Sequence, residues 1–190
     1  MKPENSGFIR IFGAHTEILA LLTGGSYASF REEVSMSVLS GLKELLDNSR
    51  VQYEERLNPS SETNAELSHS TEMSKTIIVN ADGLLRMAVL PVDYGLDLEH
   101  LRYITRSVNI RLATESELKD AFPTCEFGAI PPLGNLFGLP VFCDTRLEHN
   151  GSIEFNAETR ANTIWMRFAD FKRLANPTMI DLVDHHRHAA

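Results

Sequence analysis

Apolar residues at Val38, Leu39, Leu42, Leu45 and Leu46 recur with the spacing of one helix face. The period then changes. Val51, Tyr53 and Leu57 fall two apart, with Glu55 in step, as on a half-buried strand that Asn58-Pro-Ser-Ser breaks. Thr63, with Glu66 three residues on, has the form of a capping box opening a short helix. Lys75-Thr-Ile-Ile-Val79, the turn Asn80-Ala-Asp-Gly83 and Leu84 to Leu90 predict a β-hairpin. Asp97 caps a helix carrying Leu98, Leu101 and Ile104. Ile110 and Leu112 mark a short strand, and Thr114 to Glu117 is a second capping box, for a helix ending near Pro123. Pro140 to Cys143 reads as a strand, and Ser152–Phe155 with Thr163–Phe168 as a strand pair. Asp170 opens a last helix that stops before Asn176-Pro177. Hairpins without regular βαβ alternation predict an α+β fold, a mixed, largely antiparallel, barrel-like sheet with surrounding helices. Residues 1–33, with one short helix over Ala14–Leu22, form an N-terminal extension; 34–178 form the domain and 179–190 a tail.

Cys125 to Asp144 fits none of these periods. Gly128, Gly134 and Gly138 share it with Pro131, Pro132 and Pro140, which excludes a helix interior or a central strand. Yet Phe127, Ile130, Leu133, Leu136, Phe137 and Leu139 make it apolar, unlike a solvated linker. The pattern predicts an ordered loop that turns sharply, packs inward and offers backbone N–H groups at a cleft. Gly128-Ala-Ile-Pro-Pro132 is its tightest part.

Composition narrows the function classes. The 190 residues suffice for one core, and a net charge of −8 argues against broad, non-specific nucleic-acid binding. Cys125 and Cys143 form no disulfide framework and no metal spacing, which suits a reducing compartment. Arg10, His15 and Glu17 interrupt the apolar stretch Phe8–Leu22; it resembles neither a signal peptide nor a membrane span, so a soluble cytoplasmic protein is expected. The tail Asp184-His-His-Arg-His188 contains metal-ligating types, but a solvated tail is the simpler reading. Cys125 has no His paired with it in a nucleophile motif, and Cys143 lies in an apolar strand. Trp165, between Ile164 and Met166, reads as core or rim.

The order of these segments resembles the YbaK/aminoacyl-tRNA synthetase-associated domain, a family of trans-editing aminoacyl-tRNA deacylases. The resemblance runs from about residue 36 to 176. It rests on Tyr53, Asn58-Pro-Ser-Ser-Glu-Thr63, Lys75-Thr-Ile-Ile-Val79, Ala88-Val-Leu-Pro91, Leu96-Asp-Leu98 and Ala113-Thr-Glu. Gly128-Ala-Ile-Pro-Pro-Leu-Gly134, Leu139-Pro-Val-Phe-Cys-Asp144 and the closing strand pair with Asp170 complete it.

The resemblance implies hydrolysis of the ester joining a wrong amino acid to a tRNA 3′ end, with no metal and no organic cofactor. Lys75 and Gly128 would carry the catalysis; Asn58, Thr63, Ile130, Pro132, Asp144 and Asn156 would contact substrate. The partners implied are the aminoacyl-tRNA 3′ end and a synthetase. Read without the resemblance, Lys75 is a solvated lysine at a strand start, and Asp144 orders its loop through backbone hydrogen bonds. Two departures stand out. Asn58 replaces a His frequent in the family and cannot act as a base near neutral pH. In Asn156-Ala-Glu-Thr-Arg-Ala161, Glu158 adds bulk and negative charge where small glycines are usual. Both favour the alternative, a binding module that kept the fold and lost catalysis.

Overall fold

The structure, a computed structural model, describes residues 37–57 and 72–184. In chain order the elements are α1 (Val38–Asn48), β1 (Tyr53–Leu57), β2 (Ser74–Ala81), β3 (Leu84–Pro91), α2 (Leu98–Thr105), β4 (Ile110–Leu112) and α3 (Glu115–Ala121). The 3₁₀ turn Gly134–Leu136, β5 (Val141–Asp144), the 3₁₀ segment Thr145–Asn150, β6 (Ser152–Ala157), β7 (Thr159–Arg167), α4 (Phe168–Ala175) and β8 (Thr178–Ile180) follow.

The strands form two sheets, one ordered β1-β7-β6 and the other β4-β2-β3-β5-β8. The three-stranded sheet is antiparallel throughout. In the larger sheet β2 pairs antiparallel with β3 and β4, whereas β3–β5 and β5–β8 are parallel. The expected barrel-like closure therefore does not occur. Between the sheets, β6 meets the chain entering β2 at one parallel bridge, Met73–Glu154. The fold class itself, mixed α+β with several helices, is as expected.

Strand alternation accounts for the packing. Ile78, Met87, Val89, Val141 and Cys143 project from the five-stranded sheet into the main core. They meet Ile153, Phe155, Ile164 and Met166 of the smaller sheet, Leu42 and Leu46 of α1, and Phe168 and Phe171 of α4. Val79, Ala88 and Phe142 point to the opposite face, where Leu101 of α2 and Leu182 close a second cluster. Burial on both faces explains why β3 carries an unbroken apolar run from Met87 to Pro91. The packing continues past the expected boundary at 178, since Leu182 and Val183 are both buried.

Local signals position the helices. Ser37 caps α1, Asp97 caps α2 by accepting from the His100 amide, and Thr114 and Glu117 close the capping box of α3. The hairpin turn reduces to Asp82 and Gly83, both at positive φ. The last helix begins at Phe168, two residues before Asp170, behind an N-cap, Arg167, whose side chain makes no capping bond. The proposed helices at Ala14–Leu22 and after Thr63, and the His-rich tail from 185 on, lie outside the described residues. Among the described residues, no helix is long and apolar enough to cross a membrane.

Candidate active site

The start of β2 is fixed to β6 by backbone and side chain together. Glu154 N–H donates to the Glu72 carbonyl at 2.9 Å, and the buried Ser74 hydroxyl donates to the Glu154 carbonyl at 2.9 Å. The Met73–Glu154 bridge is parallel, so two residues further along each strand stand Lys75 and Asn156. Lys75 pairs with Leu90 across β2 and β3. Its ammonium is half-buried and donates to the Val92 carbonyl at 2.8 Å. Desolvation lowers the Lys75 pKa from its ordinary 10.5, opposed in part by the charge of Asp93.

The Gly128 loop is tied to the turn between β6 and β7. Glu126 N–H donates to the Glu158 carbonyl at 2.8 Å, and Glu158 N–H donates back to Ala129 at 2.9 Å. Arg160 N–H reaches the Glu126 carboxylate at 2.9 Å, and its guanidinium Nε reaches the Phe127 carbonyl at 3.0 Å. Asn156 Nδ2 approaches the Gly128 carbonyl at 3.5 Å. Gly128 has φ +84° with open space where a Cβ would stand, so its requirement is conformational rather than steric. The amides of Phe127, Gly128 and Ile130 have no acceptor among the described residues. A carboxylate or developing oxyanion would find unspent donors there.

Glu158 does not enter this region as the sequence suggests. The turn is a single residue, Glu158 at φ +69°, and its carboxylate accepts from the Val38 and Leu39 amides at 3.3 and 3.2 Å. It serves the N-terminus of α1.

The other expected contacts separate. Asn156 lies beside Gly128. Ile130 and Pro132 are buried, and Ile130 forms part of the floor of a cavity of about 670 Å³ next to the loop. Lys75 is not among that cavity's lining residues. Asp144 is wholly buried, accepting from the Arg146 amide at 2.9 Å, the Leu182 amide at 2.7 Å and the Arg146 guanidinium at 3.3 Å. It caps the following 3₁₀ segment and holds Leu182 against β5, which is a loop-ordering role. Asn58 and Thr63 lie outside the described residues. Cys125 and Cys143 are free thiols. Among the described residues, no cluster of His, Cys, Asp and Glu is arranged to hold a metal.

Sequence reasoning missed a polar seam on the side of the small sheet turned away from the core. Glu154 is 4% exposed. It accepts from Arg56 at 2.8 Å and from the Thr163 hydroxyl at 2.8 Å. Arg56 lies over the Trp165 ring, 5.5 Å from its centroid, and Trp165 Nε1 donates to Glu72 at 3.0 Å. The Ser152 hydroxyl also donates to the Glu72 carboxylate. Alternation of Glu154 with Ile153 and Phe155 signals that it faces away from the core. Its burial depends on a register no local pattern reveals.

Comparison with known proteins follows the same lines. The aminoacyl-tRNA editing domain matches residues 55–174. Over 96 residues the chain is 31% identical to the Multifunctional Ser/Thr-tRNA deacylase ProXp-y of Escherichia coli (strain K12), covering 50% of this chain and 57% of that protein. The protein of the same name from Escherichia coli O157:H7 matches equally. The chain thus spans little more than half the length of these curated relatives. Among solved structures, the hypothetical protein APE2540 superposes with a TM-score of 0.67 at 17% identity, covering 75% of this chain and 99% of that one. A candidate trans-editing enzyme for prolyl tRNA synthetase superposes with a TM-score of 0.66 at 16% identity, covering 79% and 99%. At such identities these likenesses show the fold alone.

Proposed function

Because this chain belongs to the aminoacyl-tRNA editing domain family, we propose that it hydrolyses the ester between a mismatched amino acid and the 3′ end of a tRNA, acting in trans. Water adds to the ester carbonyl carbon, the bond to the ribose oxygen breaks, and free amino acid and uncharged tRNA leave. Selection by binding alone is weak between small side chains, where one methylene is worth about 1–3 kcal/mol, so a separate hydrolytic site has a use.

The observation that carries the reading is the Gly128 loop. It is held at four points against Glu158 and Arg160, while its Phe127, Gly128 and Ile130 amides have no acceptor among the described residues. Rigid, uncommitted donors are what a tetrahedral oxyanion needs. Lys75 supplies a half-buried positive charge at the start of β2, one N–H already spent on Val92, for the terminal phosphate or the developing charge. Asn156 steadies the Gly128 carbonyl. The binding-module alternative loses one of its supports, because the Glu158 carboxylate is committed to α1.

The curated relative is named for Ser/Thr-tRNA, so seryl- and threonyl-tRNA on noncognate tRNAs are the first substrates to test, with alanyl and cysteinyl esters beside them. Release of amino acid from at least one pair, at enzyme-limited rates, is the expected result. Well-folded protein that turns over none of them would leave the binding module as the better reading.

A further inference from the structure

The cavity of about 670 Å³ beside the Gly128 loop is lined by side chains that the hydrolytic step does not use, although the amides of two of its residues, Phe127 and Ile130, belong to the proposed oxyanion donors. Phe122 and Ile130, both buried, form its floor, with Leu118 and Pro123. Phe122 is itself fixed by an edge-on contact with Phe137, ring centroids 4.8 Å apart. The rim is different. Phe127, next to Gly128, leaves 39% of its surface exposed. Lys119 of α3 places its ammonium 5.7 Å from the Phe127 ring centroid. Arg160 holds the Phe127 carbonyl through Nε, leaving its terminal nitrogens without a partner among the described residues. Two acids bear on this cavity: Glu126 on the rim, with one oxygen accepting from the Arg160 amide, and Glu158, whose charge reaches Cys125 in the lining while its carboxylate accepts from the Val38 and Leu39 amides. Lys119 has a loose contact of 3.9 Å with the exposed Glu115.

A partly exposed aromatic ring with an ammonium over it, a guanidinium at its own backbone carbonyl and an apolar hollow beside it suits a nucleobase with its phosphates close by. On a chain of net charge −8, cations gathered at one ring call for a local explanation. The position supplies it, since a base on Phe127 would lie beside the proposed oxyanion donors, which include the amides of Phe127 itself and of Gly128. We infer that this cavity receives an unpaired nucleotide of the tRNA 3′ end, its base stacked on Phe127 and its phosphates met by Lys119 and Arg160. The inference rests on the deacylase reading and adds the surface that holds the strand.

The test measures binding of uncharged tRNA transcript, with the unpaired 3′ nucleotides intact or removed, to wild type and to Phe127→Ala, Phe127→Leu, Phe127→Trp, Lys119→Ala and Tyr103→Ala. Tyr103 is a 79% exposed aromatic outside the cavity and serves as the control. Phe127→Ala and Phe127→Leu should weaken binding of the intact tRNA about 5- to 100-fold, the usual range for one stacked base. Phe127→Trp should keep wild-type affinity, and none of the Phe127 variants should differ on the truncated tRNA. Lys119→Ala should reduce the salt dependence by about one phosphate contact. Intact tRNA binding as tightly to Phe127→Ala or Phe127→Leu as to a wild type that deacylates would overturn the inference and leave the activity standing. A wild type that neither binds tRNA nor releases amino acid would overturn both. Circular dichroism of each variant separates lost binding from lost fold, and the Lys119→Ala salt slope tests the site independently of Phe127.

Discussion

The Glu158 carboxylate lies 3.2 Å from the Leu39 amide, 119 positions earlier in the chain. With the Val38 amide at 3.3 Å, it meets two of the donors that the first turn of α1 cannot satisfy within the helix. The same residue turns β6 into β7 at φ +69° and, through its backbone, holds both sides of the Gly128 loop. One residue thus joins α1, the strand turn and the candidate oxyanion loop.

Replacing Glu158 separates these roles. Glu158→Ala leaves the Ser37 cap in place but removes the acceptor of the Val38 and Leu39 amides and keeps a strained φ; a loss of about 1–2 kcal/mol is expected. Glu158→Gly also loses that acceptor but relieves the φ, so it should be the more stable of the two by about 1 kcal/mol. Chemical denaturation of both variants checks the order. Equal stability would mean that the turn carries no strain.

Arg56 and Glu154 form a pair that is asymmetric in burial, with 45% and 5% of their side chains exposed. Arg56→Ala strands a buried carboxylate that, among the described residues, keeps only Thr163 as a side-chain donor. It should cost about 2–3 kcal/mol, below the range for a fully buried pair because Arg56 is half in solvent. Adding Glu154→Gln should recover part of that loss. A double variant less stable than the single would show that the remaining charge is not the cause.

Burial pushes the Cys125 thiol up to about 12, with the Glu158 charge adding to the effect. At pH 8 the thiolate is then about one part in ten thousand, too little for rapid alkylation. Iodoacetamide labelling followed by mass spectrometry should leave Cys125 unmodified in the native protein and modify it in denaturant. Fast labelling of the folded protein would contradict the buried environment.

Lys75 gives the activity a pH signature. Its ammonium is the charged form, and desolvation moves its loss of a proton below 10.5. If that charge supports the reaction, the rate corrected for uncatalysed ester hydrolysis must fall as pH rises, with a midpoint under 10.5. A corrected rate still climbing at pH 10 would remove the ammonium from the mechanism.

The legible parts of this fold were those written in short stretches. α1 follows from Leu42, Leu46 and their neighbours, the hairpin from its Asp82-Gly83 turn, and α2 and α3 from Asp97 and the Thr114–Glu117 box. The long-range parts were not legible. The parallel pairing of β3, β5 and β8 joins strands separated by helices, and β8 is only three residues long. α4 starts early because its N-cap, Arg167, contributes no side-chain bond, leaving Asp170 as the visible but misplaced signal. In the candidate site, the ordered Gly128 loop was readable from its Gly, Pro and apolar content, whereas a role for Lys75 entered only through the family resemblance. The reach of Glu158 to α1 and the burial of Glu154 depend on tertiary register. Sequence showed their charge but not where it would be spent.

Hydrolysis of aminoacyl-tRNA with help from the Lys75 ammonium is open to a single experiment. The most direct test is single-turnover release of amino acid from mischarged seryl- and threonyl-tRNA by wild type and Lys75→Ala, with folding checked by thermal melts. Rapid release by wild type and a loss of about 100-fold or more in the variant, the scale of one transition-state contact, are expected. Release by Lys75→Ala at the wild-type rate would take Lys75 out of the mechanism, and absence of release by wild-type protein would contradict the account itself.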